Sequence, residues 1–140
     1  MRRTNLDAMM VVAMLVVVTI IALFATLVAP SMVGHLEKSK FVAARAQIAN
    51  FEQPVTQYKL DTGVFPATEQ GLEALLIGPA NVAHWDGPYL VKETPLDPWG
   101  HPYLYKFPGE HGNQPDIISY GADGRAGGEG SSADVVSWKN

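Results

Sequence analysis

The sequence predicts an α+β fold in which a long N-terminal helix is covered along its later half by a small antiparallel sheet. Three observations carry that expectation. Residues 8–34 contain no Asp, Glu, Lys, Arg or His and are dominated by Val, Leu, Ile, Met and Ala. From Phe41 onward the apolar positions recur at helical spacing. Beyond Gly63 the composition changes to short aromatic and β-branched segments punctuated by Gly and Pro, the pattern of strands and turns laid on a helix face.

The uncharged stretch reads AMMVVAMLVVVTIIALFATLVAPSMVG. As a helix, residues 8–29 extend roughly 33 Å at about 1.5 Å per residue, enough to cross a hydrocarbon core of about 30 Å. A cleavable secretory signal has an apolar core of only about 7 to 15 residues ending in a small-residue site. This stretch is longer, and its helical pattern continues past Pro30. Arg2 and Arg3 precede it and no further Lys or Arg occurs before Lys38. The positive-inside rule therefore puts the N-terminus in the cytoplasm and the remainder outside. Pro30 and Pro54 each lack a backbone N–H and crowd the preceding turn, so each is expected to mark a kink or local unwinding. Pro30 reads equally as a membrane-exit bend and as a hinge used in assembly.

The second helical segment carries its apolar residues at Phe41, Ala44, Ile48, Phe51, Val55 and Tyr58, spaced alternately three and four apart along one stripe. Lys38, Lys40, Arg45, Gln47, Glu52, Gln53 and Gln57 make the solvated face. Gly63 supplies the stop after Asp61 and Thr62. Residues 67–76 (ATEQGLEALL) read as a short helix despite Gly71, and residues 89–91, 103–107 and 116–120 read as strands. The resulting plan is a leader and transmembrane helix in residues 1–34, then an outer domain in 35–140 whose amphipathic helix reaches about residue 61.

A chain of 140 residues has room for one domain and an appendage. The net charge of −4, with ten scattered Lys and Arg, offers no footprint for nucleic acid. The absence of cysteine removes disulfides, thiolate metal sites and cysteine nucleophiles, and a small extracytoplasmic domain without disulfides favours a metal staple. His35, His84, His101 and His111 show no metal-type pairing, and neither a nucleophile elbow nor a phosphate loop is present. An enzyme is not expected. Trp85, Trp99, Trp138, Tyr89, Tyr103 and Tyr105 are spread over separate segments, which favours core or subunit packing over a ligand platform. Asp97-Pro98-Trp99-Gly100 reads as a turn with Trp99 as its plug.

Residues 119–134, SYGADGRAGGEGSSAD, hold five glycines and three acids, Asp123, Glu129 and Asp134. Glycines let carbonyls point inward and the acids can converge, and mixed carboxylate and carbonyl oxygens are what Ca²⁺ selects. The spacing is not that of an EF-hand. Residue types alone leave a calcium site and an ordinary glycine-rich turn both open.

The runs YKLDTGVFPATEQGLEALL, GPYLVKETPLDPWGHPYLYKFPGEHG, DIISYGADGRAGGEG and ADVVSW, within residues 58–138, closely resemble the G-type major pseudopilins of type II secretion. The resemblance implies a type IV pilin-like fold and a structural subunit that polymerises through its N-terminal helix into a periplasmic fibre aiding export of folded proteins. Implied partners are further copies, minor pseudopilins, an inner-membrane assembly platform and the membrane itself. It also implies one Ca²⁺ in the C-terminal loop, with Asp123 as a side-chain ligand and carbonyls from Tyr120 and Ser132. One family acid falls on Gly130, so Glu129 or Asp134 is expected to supply that oxygen. The family's leader ends in Gly before Phe-Thr-Leu-Ile-Glu and is cleaved there, with methylation of the new terminus. Here the segment reads MRRTNLDAMM, and Asp7 is the acid available for the family's buried Glu, which pairs with a neighbour's free amino terminus. With that leader departing from the family, a membrane-tethered calcium-binding ectodomain that does not polymerise is the second expectation.

Overall fold

A computed structural model describes the backbone of residues 2–139 and the side chains of residues 5–26 and 34–139. Its first element, α1, spans Arg2–Thr62. The chain divides into two units, Met1–Glu37 and Lys38–Asn140. In the first, Asn5–Thr26 forms an apolar segment long enough to cross a membrane, with none of it buried. Its threonines do not break this character: the Thr19 and Thr26 hydroxyls donate to the Leu15 and Leu23 carbonyls at 2.7 and 2.8 Å, satisfying themselves on the helix.

In the second unit the helical stripe finds its cover. Ala44, Ile48, Phe51, Val55 and Tyr58 are all buried, with Phe41 partly so, against Phe65, Leu72, Leu75, Tyr103, Tyr105, Ile117 and Val135. Edge-on aromatic pairs lock the layers together, Phe51 with Tyr103 at 5.4 Å and Phe41 with Trp99 at 5.0 Å between ring centroids. The sheet has three strands, β1 (Leu104–Lys106), β2 (Asp116–Ser119) and β3 (Val135–Val136), in that spatial order and antiparallel throughout. Tyr105 faces Ile117 across β1 and β2, while Ser119 faces Val135 across β2 and β3. In β1 only Tyr105 is buried, between exposed Leu104 and Lys106, the alternation of a half-covered sheet.

Four expectations change. Residues 67–76 are not an α-helix but a turn followed by a 3-10 segment, Gly71–Leu75, because Gly71, at φ 58, breaks the run so that no α-helix continues from residue 67 through it. Residues 89–91 form no strand: the amides of Tyr89 and Leu90 both donate to the single carbonyl of Leu75, at 2.7 and 3.2 Å, so no ladder develops. A third strand, β3, was not foreseen. At Pro54 the helix is not unwound; its missing N–H removes a single bond from an element held by the buried stripe. The backbone is helical at Pro30 as well, but its side chain lies outside the described residues. α1 ends as expected: Gly63, at φ 83, donates its amide to Lys59 O at 2.8 Å.

Candidate functional site

After β2 the chain passes through two 3-10 turns, Gly121–Asp123 and Gly130–Ser132, which pack on each other before β3 begins. The glycines make this packing possible. Gly121, at φ 65, lies so close to the next turn that a Cβ there would stand 2.7 Å from the Ala133 carbonyl oxygen. Gly128, at φ 90, would place a Cβ 2.5 Å from Ser132 O. Carbonyls of the second turn thus rest directly on glycine backbone, a fit no side chain allows.

The expected ligands fall on this loop in different settings. Tyr120 is half-buried and opens the first turn. Asp123 is exposed, and its Oδ1 accepts the Arg125 amide at 3.1 Å. Glu129, exposed and extended at φ −133, ψ 163, precedes the second turn. Its carbonyl accepts the Ser132 amide at 3.1 Å, and that of Gly130 accepts the Ala133 amide at 3.3 Å. Ser132 and Asp134 are half-buried. Asp134 Oδ2 accepts the Gly127 amide at 2.8 Å, whereas Asp134 Oδ1 is buried with no hydrogen-bond partner.

Among the described residues no three Asp, Glu or His side chains gather as a metal-holding group, so the three acids do not converge on one point. Main-chain hydrogen bonds hold the Asp123 and Asp134 carboxylates separately. The donors the loop offers are therefore mixed, carboxylate and carbonyl oxygens, an all-oxygen set suited to a hard cation. Asp134 Oδ1 fits that use. A buried acceptor without a donor costs about 1–3 kcal/mol, more when charged, and a cation offsets that cost where no N–H reaches.

A second, buried network joins this loop to the turn at 97–101. Asp97 is 3% exposed. Its Oδ1 accepts the amides of Trp99 and His101 at 3.1 and 2.8 Å, and its Oδ2 accepts the Ser119 hydroxyl at 2.5 Å. Ser119, fully buried at the end of β2, receives the Gly121 amide at 3.4 Å. The ring of His101 completes the circuit, with Nδ1 3.1 Å from Gly121 O. A carbonyl can only accept, so Nδ1 carries the proton. From the sequence this segment reads as a turn plugged by Trp99. The available signal was Asp97 two residues before Trp99, the spacing of a side chain that caps its own turn.

The remaining polar candidates lie outside this loop. His111 Nδ1 lies 3.0 Å from Asp116 Oδ2, and the His111 ring stacks on Trp138 with centroids 3.7 Å apart. Trp85 donates Nε1 to Ala74 O at 2.9 Å and sits edge-on to Tyr89. In the first unit Asp7 is exposed on a helix face shared with Met10, Met14 and Val17.

Comparison with known proteins agrees with this architecture. Residues 31–138 match the family model described as type II secretion system (T2SS), protein G. Type II secretion system core protein G of Vibrio cholerae is 42% identical over 127 residues, covering 89% of this chain and 86% of its own. The core protein G of Pseudomonas aeruginosa is 36% identical over 143 aligned positions spanning both chains entirely. The crystal structure of the major pseudopilin from the type 2 secretion system of enterohaemorrhagic Escherichia coli superposes with a TM-score of 0.64 at 32% identity. That superposition covers 78% of this chain and 95% of the other.

Proposed function

This chain belongs to the type II secretion system protein G family, and from that membership we propose that it is a structural subunit of a pseudopilus, held in the inner membrane by α1 before assembly. The N-terminus then lies in the cytoplasm and residues 38–140 in the periplasm. Its work is packing rather than catalysis: copies stack into a fibre that helps move folded proteins across the outer membrane, in contact with minor pseudopilins and an inner-membrane assembly platform. One observation carries the reading. Asn5–Thr26, uncharged from Ala8 onward, is wholly exposed, whereas the second unit closes its core with residues from Phe41 onward. Such a segment requires a cover, lipid in the membrane and neighbouring copies in a fibre. A single subunit type building a fibre needs a heterologous interface, one face of each copy meeting a different face of the next.

The C-terminal loop is read as a Ca²⁺ site, supported by Asp134 Oδ1 standing buried without a donor. Asp123 and Asp134 would hold the ion by carboxylate, Tyr120 and Ser132 by carbonyl. Asp134 rather than Glu129 would replace the acid the family carries at Gly130. Bound there, calcium would supply positive charge that stabilises the folded loop.

Two differently tagged full-length copies, co-expressed and solubilised in mild detergent, test the assembly reading. Recovery of both tags on one affinity resin, with filaments visible by negative-stain microscopy, is the expected result. A strictly monomeric chain under the same conditions overturns it in favour of a tethered ectodomain.

A further inference from the structure

We propose that Asp97 is a positioning residue for the calcium loop, acting through Ser119 and His101 to fix Gly121; this rests on the calcium reading of that loop.

Gly121 follows Tyr120 directly and begins the turn that contains Asp123, so its placement sets where both expected ligands stand. It is held from two sides. Its amide leans on Ser119 Oγ at 3.4 Å, while its carbonyl accepts from His101 Nδ1 at 3.1 Å. Both holding groups are in turn fixed by one carboxylate, because Asp97 accepts the Ser119 hydroxyl at 2.5 Å and the His101 amide at 2.8 Å. Asp97 is almost completely buried and accepts three hydrogen bonds, two from its own turn and one from the end of β2, so it is held from both sides.

The arrangement exceeds what the turn itself requires. Capping the 97–101 turn needs only Asp97 Oδ1, which takes the two turn amides. Oδ2 instead reaches to Ser119, 22 residues along the chain. That second oxygen couples two loops, and the loop it reaches is the one bearing the oxygen donors. His101 shows the same double contact: its amide belongs to the turn and its ring to the loop, with the ring also filling the space beside Gly124 at 3.1 Å from an added Cβ. Groups that orient metal-bearing segments from behind typically change affinity by 10–100-fold when removed.

The test uses the full-length chain in detergent, stripped with EDTA and titrated with CaCl₂ by calorimetry at 25 °C. The variants are Ser119→Ala, which cuts the link to Asp97 while leaving the turn amides capped, and His101→Ala, at a half-exposed position that tolerates truncation. His101→Asn restores an N–H donor near the place of Nδ1. We expect Kd to weaken about 10-fold in Ser119→Ala and in His101→Ala, and to recover in His101→Asn, with circular dichroism showing every variant folded at the titration temperature. Lower melting midpoints with Kd within two-fold of the parent chain mean the network is only structural, which overturns the proposal while leaving the calcium reading intact. A parent chain that takes up no calcium overturns both. Should Ser119→Ala fail to fold, the His101 pair decides alone.

Discussion

At the scale of single residues, the calcium proposal turns on Asp134, since one of its oxygens is buried without a partner. In EDTA, Asp134→Asn should melt no lower than the parent, because the oxygen it replaces accepts no hydrogen bond while the remaining one can still accept from the Gly127 amide. In excess calcium the order should reverse, the parent rising about 10 °C at a hundred-fold excess over Kd and the variant barely moving. Scanning calorimetry of both proteins with and without calcium checks the crossing. Gly121 makes a different prediction. Alanine there must adopt φ 65 and place its Cβ 2.7 Å from Ala133 O, so Gly121→Ala should lose about 1–3 kcal/mol in urea unfolding. The residue types of this loop were legible in the sequence, since glycines and acids at close spacing speak for themselves. Which acid is left without a donor was not legible, because that depends on the Gly127 amide choosing Oδ2 of Asp134. Asp97 was hidden for a similar reason: its partner Ser119 is distant in sequence, and a single sequence carries no trace of such a pairing.

Among the elements, the helical stripe was the clearest signal, because five of its six positions are buried and the period alone identifies them. The strands were less clear. β3 has only two residues and exists through its pairing with β2, while residues 89–91 have strand composition but spend their amides on Leu75 O. Phe51 lies at the centre of the stripe, 3% exposed and edge-on to Tyr103. Phe51→Ala should cost about 3–5 kcal/mol in chemical denaturation of the full chain, whereas Val42→Ala, on the exposed side of the same helix, should cost under about 0.5 kcal/mol. The tyrosines packed between helix and sheet give a pH prediction. Burial raises Tyr58, Tyr103 and Tyr105 above the ordinary value of 10.0, and neighbouring negative charge at Asp97 adds to the effect on Tyr103. In the unfolded chain these groups lose their protons first as pH rises, so the stability they contribute is complete below about pH 10 and falls above it. Alkaline titration followed at 295 nm should show these phenols ionising together with loss of near-ultraviolet circular dichroism, and a smooth titration in the folded state would contradict their burial.

For the whole molecule the decisive contrast is between two units with opposite solvent demands. Residues 38–140 close a core from their own side chains, as the buried cluster from Ala44 to Val135 shows. Asn5–Thr26 buries nothing and offers Val16, Val17, Ile20 and Phe24 to its surroundings. The sequence announced this division plainly, since a long uncharged stretch has one physical use in water, which is to leave it. Under the proposed assembly, what covers the segment outside the bilayer would depend on other copies, and one chain's composition does not specify their register. A charge placed mid-segment separates the two demands. Val16→Lys should cost about 2.5–3.5 kcal/mol for insertion at the bilayer centre, moving part of the chain from the membrane pellet to the soluble or degraded fraction. The melting midpoint of the detergent-solubilised chain, which reports the core beyond Phe41, should stay within a degree or two of the parent. If the helix also packs against neighbouring copies, the fraction that does insert should fail to co-purify with a second tagged copy, because the same Lys would then be buried in a protein contact without a partner. Normal insertion with lost co-purification would place the segment's main role in assembly. Lost insertion with intact co-purification of the remainder would place it in anchoring alone, and the fibre contacts would then have to be sought on residues 38–140.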